Sequence, residues 1–370
     1  MTKPNAKNER IKRDYVLYLE EARRRDPTTV DRVLKSIARF EGSTRRRDFK
    51  SFHRKQAVAF KQRLSEALNA RTGERLSKAT VHSILRDLHA FFFWLAHLPG
   101  YKSHVAYADA DYFNLSDKDV AIANARREKR VPTLAQVELA LATMPNETAL
   151  ERRNRAVMAY AVVTGARVAA LASFRLGDVN IIEGFVDQDA RHVRTKFSKT
   201  FRTFLMPVSD LALSIARGWH AEMSADVSRG PQDPLFPATE IGLTADCTFA
   251  PQGLARQAWT TSGPIRDLFK AAFASAGLPY FNPHSFRDML VRHIMTLDLP
   301  VETLKAWSQN LGHQGLLTTL TSYGCVATPR QGQLIMKGLP RPGAPKSNLP
   351  DAEIIAAAVM DALKRSGSRL

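Results

Sequence analysis

Three short segments of the sequence hold polar side chains that could act on a phosphodiester. TGAR ends in Arg167, HSFR holds His284 and Arg287 three positions apart, and LGH ends in His313. Guanidinium groups donate paired hydrogen bonds to the non-bridging oxygens of a phosphate, which gain negative charge during attack. The two arginines are therefore expected to hold a phosphate while it reacts.

A nucleophile and a proton donor complete this set. Tyr323 follows His313 by ten residues. Its phenol has a pKa of about 10 and becomes a nucleophile in a cationic pocket or beside a base such as histidine. The departing sugar oxygen needs a proton, which a lysine on a hairpin turn can donate, and RTKFSKTFR offers Lys196 and Lys199. Each residue alone is more often structural, but together they indicate phosphoryl transfer without a metal ion.

The elements that must position these side chains are predicted to be helices with a few short strands. Helical apolar spacing runs through LAQVELALATM and NRAVMAYAVVTGARVAALASF, where Gly165 ends one helix before Arg167 enters the next. VNIIEGFVDQ and HVRTKFSKTFRTFLMPV have the pattern of short strands joined by a hairpin. Pro283 precedes a helix, the helical pattern resumes through Lys305, and Gly312 allows a turn. This part of the chain is expected to be a helical domain with a small antiparallel sheet, an α+β arrangement.

The N-terminal part is predicted to be helical throughout. A cap on Thr28 or Thr29 precedes VDRVLKSIARF, and Ser77 is the cap candidate for SKATVHSILRDLHAFFFWLAH. The aromatic cluster at residues 91–94 could form a base-stacking platform, but its place in the apolar stripe favours a core helix. Between these helices, TRRRDFKSFHRKQAVAFKQR combines a basic face with an apolar side. That apolar side comprises Val58, Phe60 and Leu64.

The composition indicates an intracellular protein that binds nucleic acid. The 54 lysines and arginines against 36 acidic residues give a net charge of +18. The basic residues are spread through folded-looking segments, which favours nucleic acid over a membrane surface or a ribosome-like scaffold. Cys247 and Cys325 are too few for a disulfide framework or a zinc site, so a reducing cytoplasm is expected. Neither a signal peptide nor a membrane span is recognisable in the sequence.

A chain of 370 residues is predicted to form two domains. A basic extension (1–13) precedes a helical domain (14–110), a charged linker that ends near a proline (111–131) and a second domain (132–338). Residues 339–350 have the composition of a proline-rich tether. Residues 351–370 are predicted to hold a final helix, whose apolar stripe is expected to be buried on a neighbouring protomer.

Taken in order, the segments TGAR, SKTFRTFLMP, HSFR, LGH and SYG make the chain resemble the tyrosine recombinase (phage integrase) family. The resemblance is strong over about residues 132–338 and looser over the preceding helices, which are similar to the family's SAM-like core-site DNA-binding domain. It implies that Arg167 and Arg287 clamp the scissile phosphate and that Tyr323 attacks it. The products would be a 3′-phosphotyrosine and a free 5′-hydroxyl.

The same resemblance implies roles for the remaining polar residues. His284 would accept a proton or bind the phosphate, and His313 would hydrogen-bond the phosphate. Lys199 would protonate the leaving oxygen; it is preferred to Lys196 because SKTFRTFLMP has the spacing from lysine to proline that is usual in the family. His293 matches no motif position, so a packing or surface role is expected for it.

Two features depart from the family pattern. Ala170 stands where many members have a glutamate, three residues after the first arginine, so any ion pair made there is expected to be absent or supplied elsewhere. The interval from His313 to Tyr323 is one residue longer than usual, which leaves Ser322 or a nearby threonine as the alternative nucleophile. Tyr323 is favoured because the extra residue falls in the loop-like stretch TTLTS.

In function, the resemblance implies a site-specific recombinase that integrates, excises or resolves DNA without a cofactor. Its partners would be double-stranded DNA with specific recombination sites, three further protomers in a tetramer that resolves a Holliday junction, and accessory proteins. It would act on nucleoid DNA in a bacterial cytoplasm. The alternatives are a type IB topoisomerase-like enzyme, which the core-binding domain and final helix disfavour, and a non-catalytic DNA-binding protein, which the presence of all six polar positions disfavours.

Overall fold

The computed structural model describes residues 3–125, 130–297 and 299–313. These residues are mainly helical, with two small antiparallel sheets, and form two units that divide between residues 127 and 128, each with its own hydrophobic core. Tyr323, the tether (339–350) and the final helix (351–370) lie outside the described residues. None of the described helices is long and apolar enough to cross a membrane.

The described part of the first unit contains six α-helices, arranged around the long helix α4. They are α1 (Ala6–Leu17), α2 (Pro27–Ser43), α3 (Arg54–Glu66), α4 (Lys78–Leu95), α5 (Tyr107–Ala110) and α6 (Asp117–Asn124). Helix α1 continues into a π-helical turn at Tyr18–Ala22. Helix α4 contacts α2, α3, α5 and α6, so it forms the centre of this unit.

Aromatic rings fill the core of the first unit. Edge-on packing, with ring centroids 5.2 to 5.9 Å apart, joins Phe40 to Phe52, Phe60, Phe92 and Phe113. Phe91 and Phe92 of α4 are fully buried, whereas Phe93 is exposed. The interpretation of residues 91–94 as part of a core helix is therefore confirmed.

The helix caps of this unit are only partly as predicted. The Ser77 hydroxyl accepts a hydrogen bond from the Thr80 amide and caps α4, as expected. The predicted cap of α2 at Thr28 or Thr29 is wrong, because Asp26 occupies that position and its carboxylate accepts from the Thr29 amide at 2.9 Å. Pro27 follows at the first helical position, where it costs no hydrogen bond.

Other boundaries of the first unit also differ from the sequence pattern. Helix α1 lies partly within the predicted extension 1–13, and its Ile11 is buried in the core. Helix α6 lies within the predicted linker 111–131 and packs on α4. In α3 the core side is formed by Ala57, Phe60 and Leu64, while Val58 is 49% exposed. The apolar side predicted for α3 was thus right for Phe60 and Leu64 and wrong for Val58, in whose place Ala57 is buried.

The second unit is a helical array that carries the two sheets. Its described helices are α7 (Leu134–Thr143), α8 (Ala149–Thr164), α9 (Val168–Leu171), α10 (Asp210–Ala225), α11 (Gly263–Ser275), α12 (Ser285–Ile294) and α13 (Val301–Asn310). The first sheet consists of β1 (Val179–Asn180), β2 (Phe185–Gln188) and β3 (Phe201–Phe204) in that order, all antiparallel. This arrangement confirms the expected fold class, including the predicted hairpin between β2 and β3.

Helix α8 forms the centre of the second core. Every residue from Ala156 to Thr164 is buried, and the helix contacts α7, α9, α10, α11 and α12. A helix that is apolar on all sides must be surrounded by other elements. The C-terminal end of α8 is therefore held rigidly at the place where the TGAR segment begins.

A second hairpin was not anticipated from the sequence. Strands β4 (Pro237–Leu243) and β5 (Phe249–Ala258) pair in antiparallel register with two irregularities. Arg153 of α8 is buried beside it, donates to the carbonyl oxygen of Pro237 at 2.8 Å and lies 4.7 Å from the ring centroid of Trp259. Burial lowers the pKa of Arg153 to about 10. This guanidinium fixes the base of the hairpin to the central helix.

Candidate active site

The turn that carries Arg167 depends on a glycine. Helix α8 ends at Gly165, whose φ of 59° is left-handed, and a Cβ there would lie 2.5 Å from a Leu311 methyl carbon. The Thr164 hydroxyl accepts from the Ala166 amide at 3.1 Å and so tightens the turn. Arg167 follows as the N-cap residue of α9, with a half-buried side chain. No other residue type would fit at Gly165 without strain.

Arg287 joins two turns that are far apart in the sequence. It lies on α12, only 2% of it is exposed, and its Nη1 donates to the carbonyl oxygen of Gly165. Its Nη2 donates to the carbonyl oxygen of Leu311 at 2.5 Å and to His313 Nε2 at 3.0 Å. Because a buried guanidinium needs hydrogen-bond acceptors, these contacts stabilise both the charge and the two turns.

His313 is reached through a second glycine turn. Gly312 has a φ of 68°, and a Cβ at that position would lie 2.5 Å from the Phe201 ring. The His313 amide donates to the Ser308 carbonyl at 3.1 Å, and the side chain is buried. Since a guanidinium only donates, His313 Nε2 accepts from Arg287, which requires a neutral ring with its proton on Nδ1.

The pKa of His313 shows how closely the predicted residues gather. It is lowered from 6.5 to about 3, first by burial and then by nearby positive charge. The groups whose charge lowers it are Arg287, Arg167, Lys199 and His284. The fold thus brings five of the six predicted site residues together, although they come from four separate segments of the chain. The sixth, Tyr323, falls outside the described residues.

Three other positions named from the sequence lie on or beside helices α9 and α12. His284 is the exposed N-cap residue of α12, three residues before the buried Arg287. Ala170, where the sequence lacks a common glutamate, is buried in the core, so a small apolar side chain fits that environment. His293, in the last turn of α12, is half-buried.

Two lysines, Lys196 and Lys199, lie on the loop between β2 and β3 (residues 189–200), which is called the lysine loop below. A 3₁₀ turn at Lys196–Ser198 precedes Lys199, and Phe197 and Ser198 have positive φ values of 62° and 49°. The pKa of Lys199 is lowered by burial and then by the charges of Arg167 and Lys196. A lowered pKa makes an ammonium group a better proton donor. Lys199 also acts on the pKa of His313, which favours it over Lys196 as the site lysine.

Sequence reasoning missed Asn310, which fixes this loop to the His313 turn. β3 is an edge strand, and Asn310 pairs with its outer edge: Oδ1 accepts from the Phe204 amide at 2.6 Å and Nδ2 donates to the Phe204 carbonyl at 3.0 Å. The Thr203 hydroxyl donates to the Asn310 carbonyl at 3.0 Å. The side chain of Asn310 therefore replaces a neighbouring strand. Nothing in the NLGH pattern distinguished this role from that of an ordinary helix-end residue.

Arg194 is a second positioning residue that the sequence did not reveal. Its guanidinium donates to the carbonyl oxygens of Ala172, Trp259 and Thr260 at 3.1, 2.8 and 2.7 Å. Its amide donates to the Ser173 hydroxyl at 2.9 Å. These bonds fix the N-terminal part of the lysine loop to the residues that follow α9 and to those that follow β5. The loop is consequently held at both ends, by Arg194 before it and by Asn310 after it.

A groove of about 710 Å³ runs between β3 and α13 and reaches the charged cluster. It is lined by Lys199, Thr200, Phe201, Arg202, Phe204, Ala306, Gln309, Asn310, Gly312 and His313. Among the described residues, no group of three or more His, Cys, Asp or Glu is placed to hold a metal ion. The cluster offers guanidinium, ammonium and imidazole groups, which suit a phosphate anion.

Comparison with protein-family models matches residues 131–328, more than half of the chain, to the Phage integrase family. No curated protein sequence matches the chain. Among solved structures, a lambda integrase dimer bound to a COC′ core site aligns with a TM-score of 0.58 and 15% identity, over 85% of this chain and 94% of that one.

Two further structures show the same fold. The Tn1549 transposon integrase in complex with transposon right end DNA has a TM-score of 0.54 and 15% identity, over 89% of this chain and 99% of that one. A lambda integrase tetramer bound to a Holliday junction has a TM-score of 0.53 and 14% identity, over 84% of this chain and 78% of that one. At these identities the likeness concerns the fold.

Proposed function

Since the chain belongs to the phage integrase family, and is thus a tyrosine recombinase that cleaves and rejoins DNA, we propose that it recombines specific DNA sites through a 3′-phosphotyrosine bond to Tyr323. The single observation that supports this proposal is the convergence of four positive or protonatable groups on His313. Such a cluster, assembled from distant segments, suits a phosphodiester that gains charge as it is attacked.

In the proposed reaction, the Tyr323 oxygen attacks the scissile phosphorus and the 5′-oxygen of the next nucleotide leaves. The phenolic proton passes to His284, and Lys199 donates a proton to the leaving oxygen. Arg167 binds the non-bridging oxygens directly. Arg287 contributes positive charge from its buried position, and its hydrogen bonds to the Gly165 and Leu311 carbonyls keep the cluster assembled.

His313 has a conditional role in this scheme. Without DNA its Nε2 accepts from Arg287 and the ring is neutral. The arrival of a negatively charged phosphate raises the pKa of the ring and offsets the repulsion from the neighbouring cations. The protonated ring then donates from Nε2 to the phosphate, and the hydrogen bond that Nε2 accepted from Arg287 is given up. In the reverse reaction the 5′-hydroxyl attacks the phosphotyrosine, so the energy of the broken bond is retained and neither ATP nor a metal ion is required.

The same proposal includes how the protomers assemble on DNA and where in the cell they act. Four protomers on two double-stranded sites would cut one pair of strands, form a Holliday junction and resolve it. The structure of lambda integrase as a tetramer bound to a Holliday junction supports this arrangement by similarity of fold. The final helix (351–370) is our candidate for a contact between neighbouring protomers. Accessory proteins and a bacterial nucleoid setting belong to the same hypothesis.

The test begins by sequencing the junctions that the purified chain forms on DNA flanking its own gene, which gives the site. A duplex of that site with a nick beside the cleaved bond then traps the covalent intermediate. The wild-type chain is expected to form an adduct that survives denaturing detergent and is insensitive to EDTA. Tyr323→Phe should form none, whereas the matched controls Ser322→Ala and Tyr280→Phe should form it normally.

Three results would redirect the proposal. An adduct that persists in Tyr323→Phe and disappears in Ser322→Ala would assign the nucleophile to the serine. Supercoil relaxation without joining of two sites would indicate a topoisomerase-like enzyme. Tight binding of the site with no adduct from any variant would indicate a non-catalytic DNA-binding protein.

A further inference from the structure

The tip of the lysine loop presents one large aromatic side chain to solvent. Phe197 is 78% exposed, and its φ of 62° lies in the left-handed region, as does that of the following Ser198. Left-handed conformations are unfavourable for residues with a Cβ. A ring that stays exposed to solvent also contributes no hydrophobic stabilisation to the fold. The exposed Phe197 ring therefore contributes nothing to the stability of the turn or of the core.

The surroundings of this ring are cationic. Lys196 Nζ lies 4.7 Å from the centroid of the Phe197 ring, and Lys199 follows two residues later. Within residues 3–125, 130–297 and 299–313, neither ammonium group pairs with a carboxylate, whereas the neighbouring Arg191 and Arg202 pair with Asp189 and Asp187. The charge at the tip is thus available for an external anion. An aromatic ring between two such cations suits a nucleic-acid strand, with phosphates on the cations and a base on the ring.

The position of Lys199 fixes where such a base must be. This step rests on the proposed function, in which Lys199 comes within hydrogen-bond distance of the leaving oxygen. Two residues span at most about 7 Å, which keeps the Phe197 backbone close to Lys199 and puts its exposed ring within reach of the duplex beside the cleaved bond. We infer that Phe197 stacks on a base next to the scissile phosphate and partly unstacks the adjacent base step.

This contact would give the enzyme a preference for certain DNA sequences at the cleaved bond without hydrogen bonds to base edges. Apolar wedges open a base step at a cost that depends on its sequence, and pyrimidine–purine steps open most easily. Cleavage sites with such a step beside the cut bond are therefore expected to be preferred. The ring would also hold the lysine loop on the DNA while the proton is transferred.

The test places 2-aminopurine, whose fluorescence rises when it is unstacked, at each position flanking the cleaved bond in the trapping duplex described above. The full chain is compared with Phe197→Ala, with Phe197→Trp and with the matched control Phe249→Ala, which removes an equally exposed ring, 79% exposed, from the β4–β5 hairpin. Wild type and Phe249→Ala are expected to raise the fluorescence at one flanking position. Phe197→Ala should abolish that rise and weaken site binding about tenfold, and Phe197→Trp should retain both.

The outcomes separate this inference from the proposed function. If the wild-type chain forms the covalent adduct but gives the same fluorescence and affinity as Phe197→Ala, the stacking inference is overturned and the proposed function stands. If Phe249→Ala changes fluorescence and affinity as much as Phe197→Ala does, the effect comes from a general loss of exposed apolar surface, and the inference also fails. If the wild-type chain forms no adduct with its site, both are overturned.

Discussion

Replacing Asn310 with leucine tests whether one side chain holds the lysine loop against the His313 turn. Leucine has nearly the same size, but it removes both hydrogen bonds to the outer edge of β3, from the Phe204 amide at 2.6 Å and to the Phe204 carbonyl at 3.0 Å. Each such bond contributes about 1 kcal/mol net. The local opening free energy of the β3 edge should therefore fall by about 2 kcal/mol, which corresponds to roughly 30-fold faster opening.

Amide hydrogen exchange at Phe204 measures this opening directly, because that amide is the donor to Asn310. We expect exchange at Phe204 to be about 30-fold faster in Asn310→Leu, and about fivefold faster in Asn310→Asp, which keeps the acceptor and loses the donor. Asn180→Ala is the matched control, because Asn180 also makes two side-chain hydrogen bonds, both to Glu183 within its own turn. It should leave exchange at Phe204 unchanged.

The kinetic consequence is specific to positioning. In Asn310→Leu the single-turnover rate of adduct formation should fall by at least tenfold with site affinity nearly constant, because binding to phosphates does not require an exact position of Lys199 whereas proton transfer does. Exchange at Phe204 within twofold of wild type would refute the reasoning about the hydrogen bonds. A weakened affinity with an unchanged rate would refute the positioning role.

Three further predictions concern the same unit. In Gly312→Ala, the left-handed φ of 68° and the contact with the Phe201 ring should lower the free energy of unfolding by about 2 kcal/mol, and a denaturation midpoint equal to wild type would contradict this. Because the pKa of His313 is lowered to about 3, the neutral ring stabilises the fold above pH 6.5 and this contribution is lost as the pH falls from 6.5 towards 3; NMR without DNA should find the ring neutral at pH 5, and a midpoint of about 6.5 would be inconsistent with the site described here. The Tyr160 hydroxyl is buried with no hydrogen-bond partner among the described residues, so Tyr160→Phe should leave the free energy of unfolding unchanged or raise it by about 1 kcal/mol, and a clear loss in urea denaturation would disprove this.

The sequence predicts those parts of the fold that depend on local physical chemistry. Apolar spacing identifies α4, which buries one stripe, and α8, which buries every residue from Ala156 to Thr164. Gly165 and Gly312 mark turns because both need a positive φ. The order of polar motifs similarly anticipates which residues gather around His313, since each motif sits at a turn or at the start of a helix.

The parts that the sequence does not predict depend on contacts between distant residues. Asn310 bonds to a strand 106 residues earlier in the chain, so no local pattern could distinguish it from a solvated helix end. Arg194 likewise donates to carbonyl groups on two other segments. The cap of α2 was misassigned for a different reason: Asp26, Thr28 and Thr29 are all good caps, and the adjacent Pro27 decides among them.

The bonds from Arg287 to the carbonyl oxygens of Gly165 and Leu311 have a consequence for repeated use of the enzyme. Peptide carbonyls do not ionise, and these contacts are buried, so they are insensitive to the ionic strength that releases phosphates from lysine and arginine. On the proposed function, the chain can therefore dissociate from one DNA and bind another with the cluster around His313 already organised. Added salt should reduce how often the chain binds DNA while leaving the cleavage rate of each bound complex unchanged.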